Sequence, residues 1–393
     1  MNADHTGSGA LPDWPSAERV AEVTAELRGR PPLVDFADCA ALRRQLAGVA
    51  AGTATVLQGG DCAELFAEIS PAATAGKAAQ LHELAELLAA GTERPVVRIG
   101  RIAGQFAKPR SAAVEPGPDG TPLPVYRGDA VNSVEPTAPA RTPDPRRLLT
   151  AYEMAGRVLA HLPSGVYTSH EALLTEYERA LVRTDPATGR RYCSSAHLLW
   201  AGHRTRQPAG GHVDLLADVA NPVAVKVGPG TTPADLTALV DRLDPYREPG
   251  RLTLITRFGA GEVRRHLPTL VAAVHRHGAR PVWLCDPMHG NTIHTADRRK
   301  TRAVRDLVAE VLGFVDVLRA AGGHPGGLHL EMSPQDVTKC VEHRAEALGQ
   351  PALPRYRTGC DPRLNDRQAR RVVAAFAAAT SPQSPPTLEV SHA

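Results

Sequence analysis

Apolar positions along this chain fall into two rhythms that take turns. Short, mostly apolar runs of about five residues, bounded by glycine, proline or charge, read as buried strands, whereas longer stretches with apolar residues three and four apart read as amphipathic helices. The strand-like runs lie at 56–60, 95–99, 165–168, 196–200, 223–227, 252–256, 281–285 and 327–331. Helical spacing covers 16–27, with Ser16 as cap and Gly29 as stop, then 36–49, 71–90, 146–162, 170–182, 233–243, 261–277, 300–321 and 367–379. Between the fourth and fifth strands the pattern is less regular. Eight strands alternating with helices predict an α/β fold, a (β/α)8 TIM barrel with additional N-terminal helices. A doubly wound sheet fits the same alternation. The barrel is preferred because Asp61, Arg101, Ser169, His203, Lys226, Arg257, Asp286 and Glu331 all follow or end strands, where a barrel assembles its site from separate loops. On this reading residues 1–15 form a flexible N-terminus, 16–380 a single barrel domain with its N-terminal helices, and 381–393, containing SPQSPP, a disordered tail.

Composition narrows the class. A chain of 393 residues can bury a large core, and a formal charge of +3 is too small to imply general nucleic-acid binding. The six cysteines, at 39, 62, 193, 285, 340 and 360, include no C-x-x-C pair, which argues against a zinc ribbon or a dithiol redox site and fits a reducing cytoplasm. No apolar run is long enough to span a membrane, and the first residues lack the apolar core of a secretion signal.

The chemistry gathers around 56–64, VLQGGDCAE, an apolar run that breaks at Gly59-Gly60 and delivers Cys62 between two acids. Three later stretches bring further donors to strand ends: DPMHGN (286–291), HLE (329–331) and CDPRLN (360–365). Cys62, His289, Glu331 and Asp361 together offer a thiolate, an imidazole and two carboxylates, a mixed set that suits a divalent first-row ion better than magnesium. The plain alternative is a buried cysteine with hydrogen-bonded acids. A second set is cationic: Arg101, Lys108, Arg110, Arg204, Lys226, Arg257 and Lys300. Lys226 and Arg257 end apolar strands, where an unpaired cation is costly, so phosphates or a carboxylate are the expected counterions. Arg101, Lys108 and Arg110, with Ser111 and Arg127, lie within the long irregular segment that runs from residue 99 to Pro145, and a loop of that length is more often functional than idle.

QGGDCAE, RIAGQFAKPRS, YRGDAVN, TSHEALL, RTRQ, KVGP, LTLITRFG, DPMHGNT, GGLHLEMS and CDPRLN, in this order, resemble the type II (class II) 3-deoxy-D-arabino-heptulosonate 7-phosphate (DAHP) synthases, here in a short form. The resemblance runs from about Trp14 to the final helix. It implies a (β/α)8 barrel that condenses phosphoenolpyruvate with erythrose 4-phosphate in the first step of the shikimate pathway. It implies a divalent metal, manganese first with cobalt or zinc also suitable, on Cys62, His289, Glu331 and Asp361. Phosphoenolpyruvate would be held by Arg101, Lys108, Arg204, Lys226 and Arg257, and erythrose 4-phosphate by Arg110, Ser111 and Lys300, with Lys108, His203 and Lys226 as catalytic side chains. A cytoplasmic homo-oligomer, without nucleic-acid or membrane partners, is expected.

Two departures qualify the resemblance. Where most members read GERTRQ, this chain reads GHRTRQ, so His203 stands in the place of an acid beside the attacking water, and turnover is expected to fall as imidazole titrates in mild acid. The stretch before the first strand is short, which predicts weak feedback inhibition and a role in secondary metabolism. Two other readings stay open: a sibling synthase taking an imino or amino four-carbon sugar phosphate, and a non-catalytic, phosphate-binding regulatory barrel. Cys360, next to Asp361, is expected to form a reversible, inactivating disulfide with Cys62 under oxidation.

Overall fold

The computed structural model describes residues 11–110, 112–349, 353–356 and 361–382. Eight parallel strands close on one another: β1 (Thr55–Gly60), β2 (Val96–Arg101), β3 (Val166–Glu171), β4 (Leu198–Ala201), β5 (Val223–Val227), β6 (Leu252–Thr256), β7 (Val282–Cys285) and β8 (Gly327–Glu331). Each strand pairs with its neighbours in sequence, and β8 returns to β1 with Gly60 opposite Glu331. Closure excludes the doubly wound alternative.

Two helices precede β1, α1 (Ala17–Arg28) and α2 (Phe36–Ala50), and α3 (Pro71–Thr92) follows it. Ser16 accepts a hydrogen bond from the Arg19 amide and Ser70 one from Ala73, the caps expected where each chain turns into its helix. α2 stands outside the β/α alternation because it is the plug of the barrel. Its Leu42, Leu46 and Val49 share one buried cluster with Val56, Val97, Leu198, Ala224, Ile255 and Val282 on the inner wall. Burying each such side chain contributes roughly 1.5–3 kcal/mol, and the plug keeps water from the foot of the barrel. The final helix, Asp366–Thr380, packs on α3 and completes the outer ring.

Some of the expected boundaries are wrong, each for a local reason. Helix 170–182 reduces to Thr175–Ala180 because β3 continues through Glu171 and residues Val182–Thr184 pair with Arg191–Cys193 in a hairpin closed by the DPATG turn. Helix 300–321 starts only at Val304. Lys300–Arg302 pairs instead with Thr292–His294, and the Arg302 side chain is drawn inside to Glu331 Oε2 at 2.8 Å. The irregular region between β4 and β5 contains a helix at Gly211–Ala217, and the long segment after β2 carries a small hairpin, Val114–Pro116 with Pro122–Pro124. The expected flexible N-terminus falls largely, and the tail almost wholly, outside the described residues.

Candidate active site

Strand register puts the site together. Gly60 lies between Arg101 on β2 and Glu331 on β8, and having no side chain it lets these two meet across β1, Arg101 Nη2 to Glu331 Oε1 at 3.2 Å. Beneath them is a neutral hydrogen-bonded layer. His329 Nδ1 donates to Gln58 Oε1 at 2.7 Å, which turns Nε2 toward the Arg101 guanidinium, and Gln58 Nε2 donates to Ser169 Oγ at 2.9 Å. Burial, with Lys226 and Arg101 nearby, holds the His329 pKa well below its ordinary value. The histidine of HLE is thus a support for Arg101.

Above this layer opens a cavity of about 380 Å³ lined by Cys62, His289, Glu331 and Asp361 together with Arg101, Lys108, Arg110, His203, Arg204, Lys226, Arg257 and Lys300. The described members of both sequence-derived sets therefore share one wall, brought from seven loops. Ser111 and Cys360 lie outside the described residues, so the disulfide expected at Cys62 is not addressed.

The four candidate donors stand as two touching pairs. Cys62 Sγ is 3.5 Å from Asp361 Oδ2 and accepts from the Asp361 amide at 3.3 Å, while His289 Nε2 is 3.1 Å from Glu331 Oε1. Among the described residues no three of these donors converge on one point. Cations hold the carboxylates instead. Asp361 pairs with Lys300 at 3.1 Å and Lys108 at 3.5 Å, and Glu331 with Arg302 and Arg101. Burial alone would raise the Asp361 carboxyl, but Lys108, Lys300 and Arg302 pull it far below the ordinary carboxylate range. Asp286 binds His289 Nδ1 at 2.7 Å and so aims Nε2 into the cavity. Although burial lowers it, the carboxylates of Asp286 and Glu331 raise the His289 pKa. Loss of that proton would free Nε2 as a ligand. One thiolate, one aimed imidazole and two carboxylates at a single cavity fit a divalent first-row ion.

Lys226 is buried and ion-paired with Asp286, yet desolvation, reinforced by Arg101, brings its pKa down to about 8 despite that partner. Arg257 donates to the His289 carbonyl at 2.7 Å, and Arg110 to the Tyr126 carbonyl at 2.6 Å. With Arg302, eight lysines and arginines line the cavity against three carboxylates, which selects for a polyanionic ligand.

Glu171 is the residue that sequence reasoning missed. It ends β3 and lines the cavity, with Oε1 buried and lacking a hydrogen-bond partner among the described residues. A Cβ on Gly202 would stand 2.0 Å from that atom, so the glycine is what admits the carboxylate. Burial raises the Glu171 pKa against the opposing pull of Lys226, Arg101, His289 and Arg204. Its signal lies in TSHEALL at a strand end, but the apolar pattern stops at 168, three residues short of the observed strand end, and so places Glu171 on a helix. Arg302 was overlooked for the same kind of reason.

His203 lines the cavity but does not titrate as expected. Desolvation and the charges of Arg206, Arg257 and Arg204 lower its pKa to about 4, and Arg206 Nε donates to Nδ1 at 3.4 Å. The ring is neutral through the mild-acid range.

The profile of the class-II DAHP synthetase family matches residues 5–164 and 162–378. Over 383 residues the chain is 46% identical to a probable phospho-2-dehydro-3-deoxyheptonate aldolase of Pseudomonas fluorescens, covering 94% of this chain and 95% of that protein. A phospho-2-dehydro-3-deoxyheptonate aldolase of Streptomyces coelicolor is 40% identical, with 91% and 92% covered, and one of Mycolicibacterium smegmatis 38% identical, with 91% and 89% covered.

Proposed function

The chain belongs to the class-II DAHP synthetase family, and from that premise we propose how its own residues divide the work. It is a 3-deoxy-7-phosphoheptulonate synthase: it joins C3 of phosphoenolpyruvate to the aldehyde carbon of erythrose 4-phosphate and releases phosphate, supplying the shikimate pathway. The family uses a divalent metal. The observation that carries the residue assignment is the single cavity in which four soft-to-hard donors face a wall of lysines and arginines.

Cys62, His289, Glu331 and Asp361 would hold the ion, manganese first and cobalt or zinc as alternatives, and when bound it would supply Lewis acidity toward the aldehyde oxygen. Arg101, Lys108, Arg204, Lys226 and Arg257 are assigned to the carboxylate and phosphate of phosphoenolpyruvate. Arg110, Ser111 and Lys300 are assigned to the phosphate of the sugar. Fixing both anions brings the reacting carbons together and removes much of the entropic barrier. As C3 forms the new bond, positive character develops at C2; water adds there and the C2–O bond to phosphate breaks, leaving the ketone. Glu171 is the side chain best suited to take the proton of that water, because its carboxylate is within the cavity and its raised pKa makes it a better base than an ordinary glutamate. His203, neutral and hydrogen-bonded by Arg206, helps shape the phosphate end.

Phosphate release from phosphoenolpyruvate, with and without erythrose 4-phosphate, tests the reading. Release requiring both substrates and manganese, lost in Lys226→Met, is expected. Equal release without the sugar phosphate would overturn the condensation.

A further inference from the structure

Cys62 and Asp361 are nearly three hundred residues apart, on the loop after β1 and on the segment that follows β8. Each of these pieces has its own anchor. The 361–365 segment rides on the end of β8, Leu364 N donating to Glu331 O at 3.0 Å and Ser333 N to Leu364 O at 2.9 Å. The 61–64 loop is held by α3 and by the turn after β2: Lys77 pairs with Asp61 Oδ2 at 2.5 Å and lies 3.6 Å from Glu64 Oε1, while Glu64 Oε2 accepts from Gly104 N at 3.0 Å and Gln105 N at 3.2 Å. Between the two anchored pieces runs a buried ion pair, Arg363 with Asp61, both 3% exposed at the side chain and neither lining the cavity.

We infer that the Asp61–Arg363 pair is a positioning clasp, locking the Cys62 loop to the Asp361 segment so that thiolate and carboxylate are presented together to one ion. Charge explains why the clasp is rigid. Asp61, Glu64 and Arg363 are buried and Lys77 half-buried, a quartet of zero net charge that resists opening because separating Asp61 from Arg363 leaves both unpaired away from water. Geometry explains why it acts on the site. Asp61 directly precedes Cys62, and Arg363 follows Asp361 by two, so a shift of either partner is passed on through one or two residues of backbone to a donor atom. The Cys62–Asp361 contacts at 3.3 and 3.5 Å are what the clasp preserves. This rests on the metal reading of the same four donors.

Cobalt binding to the ion-free full-length protein, followed through the thiolate-to-cobalt absorption band, tests both separately. Absence of the band in the native protein would defeat the metal reading; its presence lets the clasp be judged. Arg363→Gln and Asp61→Asn are each expected to weaken cobalt binding about 10- to 100-fold and to shift or diminish the band, with Arg363→Lys recovering part of it. The double variant should lose no more than either single one, since both remove the same link. Leu46→Ala, at the opposite end of the barrel, should lower the melting temperature while leaving cobalt affinity within about threefold. Native affinity and band in a folded Arg363→Gln, or an equal loss in Leu46→Ala, would overturn the clasp. Should the single variants not fold, hydrogen exchange on the native chain decides. Cobalt should protect amides of 61–65 and 361–366 together, and protection of one without the other would refute the coupling.

Discussion

Among single residues, Glu171 takes the role beside the attacking water that the sequence assigns to His203. The histidine stands out because it departs from a motif, a cue of letters; the glutamate carries the physical marks, a buried oxygen without a hydrogen-bond partner among the described residues and a raised pKa, which only the packed structure reveals. Glu171→Gln keeps the shape and removes the base, so turnover should fall about 10²- to 10⁴-fold with little change in KM for phosphoenolpyruvate, as initial-rate kinetics will measure. Turnover of the native enzyme should decline in acid as Glu171 takes up its proton, above the ordinary glutamate range. His203→Gln should leave that acid limb in place, because His203 gains its proton only near pH 4. An acid limb that disappears in His203→Gln would restore the histidine to the role. Gly202→Ala asks the same question by volume: a methyl 2.0 Å from Glu171 Oε1 must displace the carboxylate, so this smallest of changes should lower turnover by at least about tenfold in a protein that still folds.

Elements were legible where one physical demand fixed them. Six of the eight barrel strands are buried along their whole length, so they show as largely apolar runs, and 223–227 and 252–256 coincide with the observed strands. Helices next to the site were misread where a polar residue is pulled inward by a partner far away in sequence. Arg302 looks like the start of a charged helix until Glu331 is seen to bind it. Cys62, His289 and Glu331 stand out in the sequence because each ends a strand or lies in the loop just after one, whereas Asp361 lies well beyond the end of β8 and returns to it through the pairing of Leu364 with Glu331. Asp61 also lies just after a strand, yet it turns away from the cavity to Lys77 and Arg363. α2 gave a clear helical pattern but no hint of its place, since any amphipathic helix could cover any apolar surface. Leu46, fully buried against the inner wall, tests that place: Leu46→Ala should destabilise the whole barrel by about 2–5 kcal/mol in denaturant unfolding, with KM unchanged because the site is at the other end. A loss under about 1 kcal/mol would mean that the helix is a dispensable cover.

For the whole molecule, the question is whether the barrel depends on its ion to stand. Three anionic donors crowded without counterions would repel one another and loosen the strand ends, as in small domains that unfold when a chelator removes their metal. Here the charges are already met: Glu331 lies between Arg101 and Arg302, and Asp361 between Lys108 and Lys300. The stability of the ring comes from elsewhere, from closed strand pairing, the α2 plug and the helices packed outside. Removal of the ion should therefore abolish turnover and leave the fold. An ion present at a hundred times its dissociation constant contributes about 2.7 kcal/mol, which in a chain of this size moves the melting temperature by only a few degrees. Treatment with a chelator should give an inactive protein with a native far-ultraviolet spectrum, a slightly lowered melting temperature and full recovery on adding manganese. Cys62→Ser should need more manganese for the same recovery, since a neutral hydroxyl replaces a soft thiolate. Cooperative unfolding on chelation would show instead that the lysines and arginines around the site do not compensate its acids, and that the four donors hold the strand ends together as well as the ion.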